Sequence, residues 1–368
     1  MRLASIAVSA LSLLACFAGE FNGTQAGYKV LPPITADNLT IFPVTASKTS
    51  DTSQFLTLDE GIRSRQVTVT EMGQTTGLVR PRFNDGVWRE RPFPPLPPPQ
   101  SGARVNQLAL VNTSDQPLLL LAGEIVTGGK QDRVVGRDRI IPAHSEPIAL
   151  DVFCVEPHRW TGASAQFGAP AFSMAQPSVR SKAMADRNQQ EVWNEVAKSR
   201  AALAGSVPAL QAREIESSSS YAAAVQNTEV KRQLDSIAAP IERSYQKLLE
   251  QLRVQNAVGA VVAVNGEMIW LDVFASPVLL QKYWPKLVRS YAAEALVPHV
   301  SPLIFIGPPA QERAQKFLER LYANHENVET EPGVYRNTEI QGDDFDAFFL
   351  TSLLPNTGFQ IHIAKMKH

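Results

Sequence analysis

Cysteine is nearly absent: Cys16 and Cys154 are the two in 368 residues. Once Cys16 is removed or modified, no disulfide can form within the chain, so the fold must rest on its core rather than on covalent staples. Excess charge of either sign is also missing. Lysine and arginine number 35 against 36 aspartate and glutamate, which gives no footing for nucleic acid or an anionic membrane surface as the main partner. The sequence lacks a Ser-His-Asp signature, a nucleophile elbow and a dinucleotide fingerprint. His158 has no second histidine at ligand spacing, so neither a metal nor another cofactor is expected. What is present is a composition 44% hydrophobic and 19% charged, that of a chain with a packed core.

The long apolar run comes first. Arg2 precedes an apolar stretch from Leu3 to Ala18 that ends in small residues, the layout of a secretory signal peptide over residues 1–20. It is too short to serve well as a spanning helix. Within it, Leu13-Leu14-Ala15-Cys16 resembles a lipoprotein processing box, although Leu14 and Phe17 depart from the pattern. Lipidation at Cys16 and cleavage after Ala18 or Ala26 stand as alternatives. Either implies export to the periplasm, an outer-membrane lipid anchor or the extracellular side of a bacterium, with membrane contact through the anchor alone.

The remaining chain reads as α+β: an N-terminal antiparallel β-sandwich-like region over 27–175, then helices and a mixed β/α half over 176–368, the two separate or continuous. "RSRQVTVTE" alternates like a strand, and "RPFPPLPPPQ" must run as polyproline II or irregular surface connector. From Val105 to Glu156, "VNQLALV", "LLLLA", "VVGRDRIIP" and "PIALDVFCVE" are strands divided by turn clusters. "SKAMADRNQQEVWNEVAKSR" reads as one amphipathic helix, and the Ala/Ser-rich 201–222 as a flexible linker or insertion. Val230, Leu234, Ile237 and Ile241 mark a helix face, which Pro240 should kink or restart. Asn265-Gly266 between two apolar runs predicts a tight hairpin. A helix from Leu279 to Leu296, another near Ala314 and two closing strands complete the chain.

The polar chemistry concentrates in two places. "LAGEIVTGGKQDRVVGRDRI" looks at first like a P-loop, but Gly129 stands where the lysine belongs, Lys130 comes one residue late, and no hydroxyl follows it. Its downstream segment is strand-like, so no helix N-terminus meets a phosphate. It is instead a strand, a glycine turn and a strand, with Gly128-Gly129 suited to positive φ. The second place is "CVEPHRW". By alternation Leu150, Val152, Cys154 and Glu156 share one face, so Glu156 needs a partner. Arg133, Arg137 and Arg139 are candidates on a neighbouring strand. Cys154 reads either as a buried small hydrophobe or as a reactive thiol.

These motifs, with "GAVVAVNGEMIWLDVFASPVLLQKYWPKLVRSYAAEA", resemble the domain family named for its association with ADP-ribosylglycohydrolases and rhodanese-phosphatases. Its pattern is matched by Gly123-Glu124, by Gly128, Gln131 and Arg133, by Cys154, Val155, Glu156, Arg159 and Trp160, and by Asp272 and Phe274. The resemblance implies no established activity; its name hints at ADP-ribose and phosphate chemistry by neighbourhood. Two functions follow. In one, Lys130, Gln131, Arg133, Arg159 and Trp160 hold a small anionic, nucleotide-related ligand, with Glu124, Glu156 or Asp272 as candidate general base. In the other, the same residues brace a non-catalytic envelope or surface scaffold. Whether they converge on an open cleft or are buried and mutually satisfied separates the two.

Overall fold

A computed structural model describes residues 27–72, 79–84, 87–92, 106–159, 164–170, 174–251, 256–298, 311–321 and 324–368. The polyproline run at 93–100, Cys16 and Trp160 lie outside them. The fold is α+β. Its largest sheet has nine antiparallel strands, and it is assembled from both ends of the chain. Leu39–Thr45 pairs with Ala257–Val264, which pairs with Glu267–Phe274. The sheet continues through Gln360–Lys367, Phe345–Ser352 and Tyr335–Gln341 to His325–Glu331. The turn at Asn265-Gly266 has both residues at positive φ, +52° and +82°, the geometry that matches strand twist in a two-residue hairpin.

Both faces of this sheet are covered over its inner strands. One carries Phe42, Val44, Val261, Leu271 and Phe349 under the helix Gln311–Glu319, which contributes Ala314 and Leu318. The other carries Ile41, Val262, Trp270 and Phe274 under the helices Thr228–Gln251 and Pro277–Leu296. Val230, Leu234, Ile237 and Ile241 are buried there as their spacing predicts, and the helix runs on through Pro240.

The smaller sheets form the sandwich-like part. The strands Ile125–Val126, Arg133–Val135, Ile148–Cys154, Gln107–Asn112 and Val67–Glu71 make one sheet; Arg139–Ile141, Leu118–Leu120 and Leu56–Thr57 make another. Leu110, Leu118, Leu120, Val135, Ile141, Leu150 and Val152 share a core between them. The far face of the five-stranded sheet buries Val134 and Val155 against Val179, Val192, Val196 and Tyr221.

Three expectations need correction. The segment "VVGRDRIIP" is not one strand: Gly136, Arg137 and Asp138 carry the chain from one sheet to the other. The stretch expected as a single helix breaks at Arg187, which adopts φ +48° after a π turn at Lys182–Asp186; Asn188 then caps a new helix, Gln189–Gly205. Residues 201–222 are not a flexible linker. They complete that helix, form a second at Ala209–Ser217 and begin a third at Tyr221–Gln226. Leu203, Ile215 and Tyr221 are buried, so a low-complexity composition here still supplies enough apolar anchors to pack.

Candidate functional site

The family-type residues gather into three neighbouring networks rather than one cleft. The first is the glycine turn. Gly128 and Gly129 sit at φ +126° and +50°, and their backbone is gripped from below. The Asp132 carboxylate accepts Gly128 N–H at 3.2 Å and the Ser220 hydroxyl at 2.7 Å. Glu156 accepts Asp132 N–H at 3.0 Å and pairs with Arg159 at 2.6 Å. Arg159 also donates to the carbonyls of Gly129 and Gly128. Gln131 donates to the Glu156 carbonyl. Glu156 is thus buried on the row that alternation predicts, but its cation is Arg159, three residues on, instead of Arg133, Arg137 or Arg139.

Those three arginines go elsewhere. Arg137 pairs with Glu329, and Arg139 bonds Tyr335 and the Ala149 carbonyl. Arg133 is fully buried and directs Nη1 to the Asp132 carbonyl and the Cys154 sulfur, 3.4 and 3.6 Å away. Burial lowers the Arg133 guanidinium and raises the Cys154 thiol, so Cys154 is a packed, protonated residue and not an activated nucleophile. Burial, with Glu156 beside it, also raises the Asp132 carboxyl. The Lys130 side chain is exposed, while its backbone N–H donates to Glu71.

The second network surrounds Glu124. Its carboxylate accepts Leu121 N–H and pairs at 2.7 Å with Lys286, which also holds Asp59 at 2.7 Å. Burial, with the Asp59 charge beside it, raises Glu124 above an ordinary carboxyl against the lowering pull of Lys286, while the two flanking acids keep Lys286 raised against its own burial. Gly123, at φ +93°, lies against Arg180: a Cβ there would fall 2.5 Å from the Arg180 Cγ.

Arg180 opens the third network, a line of alternating charge through the molecule. It grips Asp272 with both terminal nitrogens, at 2.9 and 3.0 Å, and its guanidinium lies 4.4 Å from the Trp270 ring. Asp272 further accepts from Trp270 Nε1 and the Tyr291 hydroxyl, and contacts His362 Nε2 at 3.2 Å. His362 Nδ1 meets Asp138 at 2.6 Å, and Asp138 accepts Ala122 N–H. All four charged residues are at most 4% exposed. Burial alone would raise Asp272, but Arg180 and His362 hold it well below the usual carboxylate range. Burial would likewise lower His362, but Asp138 and then Asp272 push it up to about 9. From Arg180 to Asp138 the line at neutral pH is therefore plus, minus, plus, minus.

One helix ties the networks together. Along Pro277–Leu296, Tyr283 bonds the Leu119 carbonyl, Lys286 holds Glu124 and Ser290 bonds the Ala175 carbonyl. Glu294 accepts from Gln176 and from Ser178 N–H. Spacings of three and four put these groups on one face, a polar stripe along a helix that also buries Leu279, Leu280, Leu287 and Val288. Lys286, Arg180, Asp138 and His362 are the residues that sequence reasoning missed. His362 did leave a signal: in "QIHIAKM" Ile361 and Ile363 lie on one alternating face and Ala364 and Met366 on the other, as in a strand with apolar contacts on both sides, so a histidine among them needs a partner.

Among the described residues no group of three or more His, Cys, Asp and Glu is arranged to hold a metal, and no helix is long and apolar enough to cross a membrane. In comparisons with known proteins, residues 27–364 match the family described as ARG and Rhodanese-Phosphatase-superfamily-associated Protein domain. No curated protein and no solved structure matches the chain.

Proposed function

We propose, from the premise that the chain belongs to the ARG and Rhodanese-Phosphatase-superfamily-associated Protein domain family, that it is an exported, non-catalytic cell-envelope protein whose shared motifs are internal braces. The observation that carries this reading is the state of the three candidate bases. Glu124, Glu156 and Asp272 are buried, and each bonds a fixed cation and at least one further internal donor. A general base must reach a substrate proton through a direct hydrogen bond or one water; these carboxylates are spent on tying turns to sheets. Export rests on the N-terminal segment, with Arg2, the apolar stretch and its small-residue end.

The geometry favours a nucleotide-related ligand at the glycine turn less. Arg159 is committed to two carboxylates and two carbonyls, and Arg133 is fully buried. The test is thermal melting of the mature protein with ADP-ribose, nucleotides and sugar phosphates at millimolar concentration. The brace reading expects no shift that depends on Arg133, so wild type and Arg133→Ala respond alike. A wild-type shift that Arg133→Ala removes would overturn it in favour of an anion site.

A further inference from the structure

Where the five-stranded sheet, the π turn and the C-terminal strands meet there is a groove of about 500 Å³. Arg137 and Arg187 line it, together with Gln107, Asp151, Val152, Phe153 and Ala183; the Asp151 carboxylate accepts from the Gln107 amide at 3.2 Å. A second cavity of about 30 Å³, room for about one water, shares Gly136, Arg137 and Arg187 with it and is also lined by Asp138, Met184, Glu329, Glu339 and Phe348. One of the two arginines comes from costly backbone. Arg187 is held at φ +48° at the end of the π turn, and left-handed non-glycine residues and π turns concentrate at functional sites. Arg137 projects from the short link between two sheets.

Each arginine meets a carboxylate of the same neighbouring hairpin. Arg137 pairs with Glu329, and Arg187 with Glu339 at 2.6 Å. The two pairs differ in kind. Glu339 is mostly buried, whereas Glu329 is 58% exposed on a strand that is exposed throughout. An exposed pair of this sort is worth little and exchanges readily. Two guanidinium groups beside the half-buried ring of Phe153 suit a small anion with an apolar body, since the fork of an arginine matches carboxylate and phosphate oxygens alike.

We propose that this groove is a binding site for a small organic anion, a carboxylate or a phosphate monoester, held by Arg137 and Arg187, for which the Glu329 side chain stands in when the site is empty. The site is separate from the braced motifs and does not depend on the scaffold reading.

Benzoate and phenyl phosphate are the probes, titrated calorimetrically into the mature protein at low ionic strength. Wild type binds at least one of them, and which one binds assigns the headgroup. Glu329→Gln removes the competing carboxylate and tightens binding, up to about fivefold for an exposed pair. Arg137→Ala weakens it at least tenfold, as loss of a charge-assisted contact requires. Circular dichroism confirms that both variants fold, and Arg187→Lys, which keeps the charge but not the fork, supplies a second weakened variant. Binding unchanged in Arg137→Ala overturns the assignment. So does the absence of heat for both probes at 10 mM, about the weakest affinity worth assigning, in the folded Glu329→Gln protein.

Discussion

Replacing His362 by Gln probes the buried charge line most directly. In the folded protein His362 titrates at about 9, against about 6.5 in the unfolded chain. Because the folded value is the higher one, the stabilisation is fully present below pH 6.5 and is lost as the pH rises through 9. The difference corresponds to about 3 kcal/mol, a substantial part of the roughly 5–15 kcal/mol that holds a typical domain together. Urea denaturation of wild type from pH 6 to 9.5 should include that decline. Lys365, which burial lowers to about 7, titrates in the same window with the opposite sign, so the informative quantity is the difference between wild type and variant. At pH 6 Gln leaves Asp138 and Asp272 facing each other without the imidazolium, a loss of about 3–5 kcal/mol. The gap should shrink by about 3 kcal/mol at pH 9.5, where the wild-type ring is largely neutral. Parallel stability profiles for the two proteins would refute the charged-histidine brace. Should the Gln variant be too unstable to measure, Asp138→Asn must lower the His362 midpoint, read by the ring proton shifts in NMR.

Lys286→Met leaves Glu124 and Asp59 without their shared cation and should cost about 3–5 kcal/mol by urea denaturation. Adding Glu124→Gln should recover part of that loss, a non-additivity that an independent pair would not show. Gly123→Ala combines a positive φ with a contact 2.5 Å from Arg180; roughly 2–4 kcal/mol should be lost, and an unchanged melting temperature would mean that the turn relaxes freely. Cys16→Ser should abolish palmitate labelling of the expressed precursor while leaving export intact; labelling that persists rules out lipidation at Cys16.

How legible the molecule was depended on the distance between interacting residues. The hairpin at Asn265-Gly266 and the buried row Leu150, Val152, Cys154 and Glu156 were readable because turn chemistry and alternation are local. The break at Arg187 was not. The residues around it keep an amphipathic pattern, and nothing in the pattern marks an arginine as left-handed. The charge line was invisible for a different reason. Asp272 lies 92 residues from Arg180, and His362 lies 224 from Asp138. In sequence Arg180 is one more cation between Val179 and Ser181, and its burial becomes evident only when the sheet places Trp270 and Asp272 beside it. The family motifs marked a set of charged residues, but they could not say whether those charges faced a ligand or one another.

The nine-stranded sheet also bears on the order in which the protein can be made. Leu39–Thr45 emerges from the ribosome early, yet its long partner, Ala257–Val264, is more than 200 positions downstream, and the next strands inward include the last one synthesised. Pairings this distant form slowly, because the intervening loop must close before any contact repays it. The N-terminal strand therefore stays without its long partner while most of the chain is still being translated. For a polypeptide proposed to leave the cytoplasm behind an N-terminal signal, that delay is an advantage: the sheet that would lock the chain into a globule cannot be completed until the signal has long been available to a translocation channel.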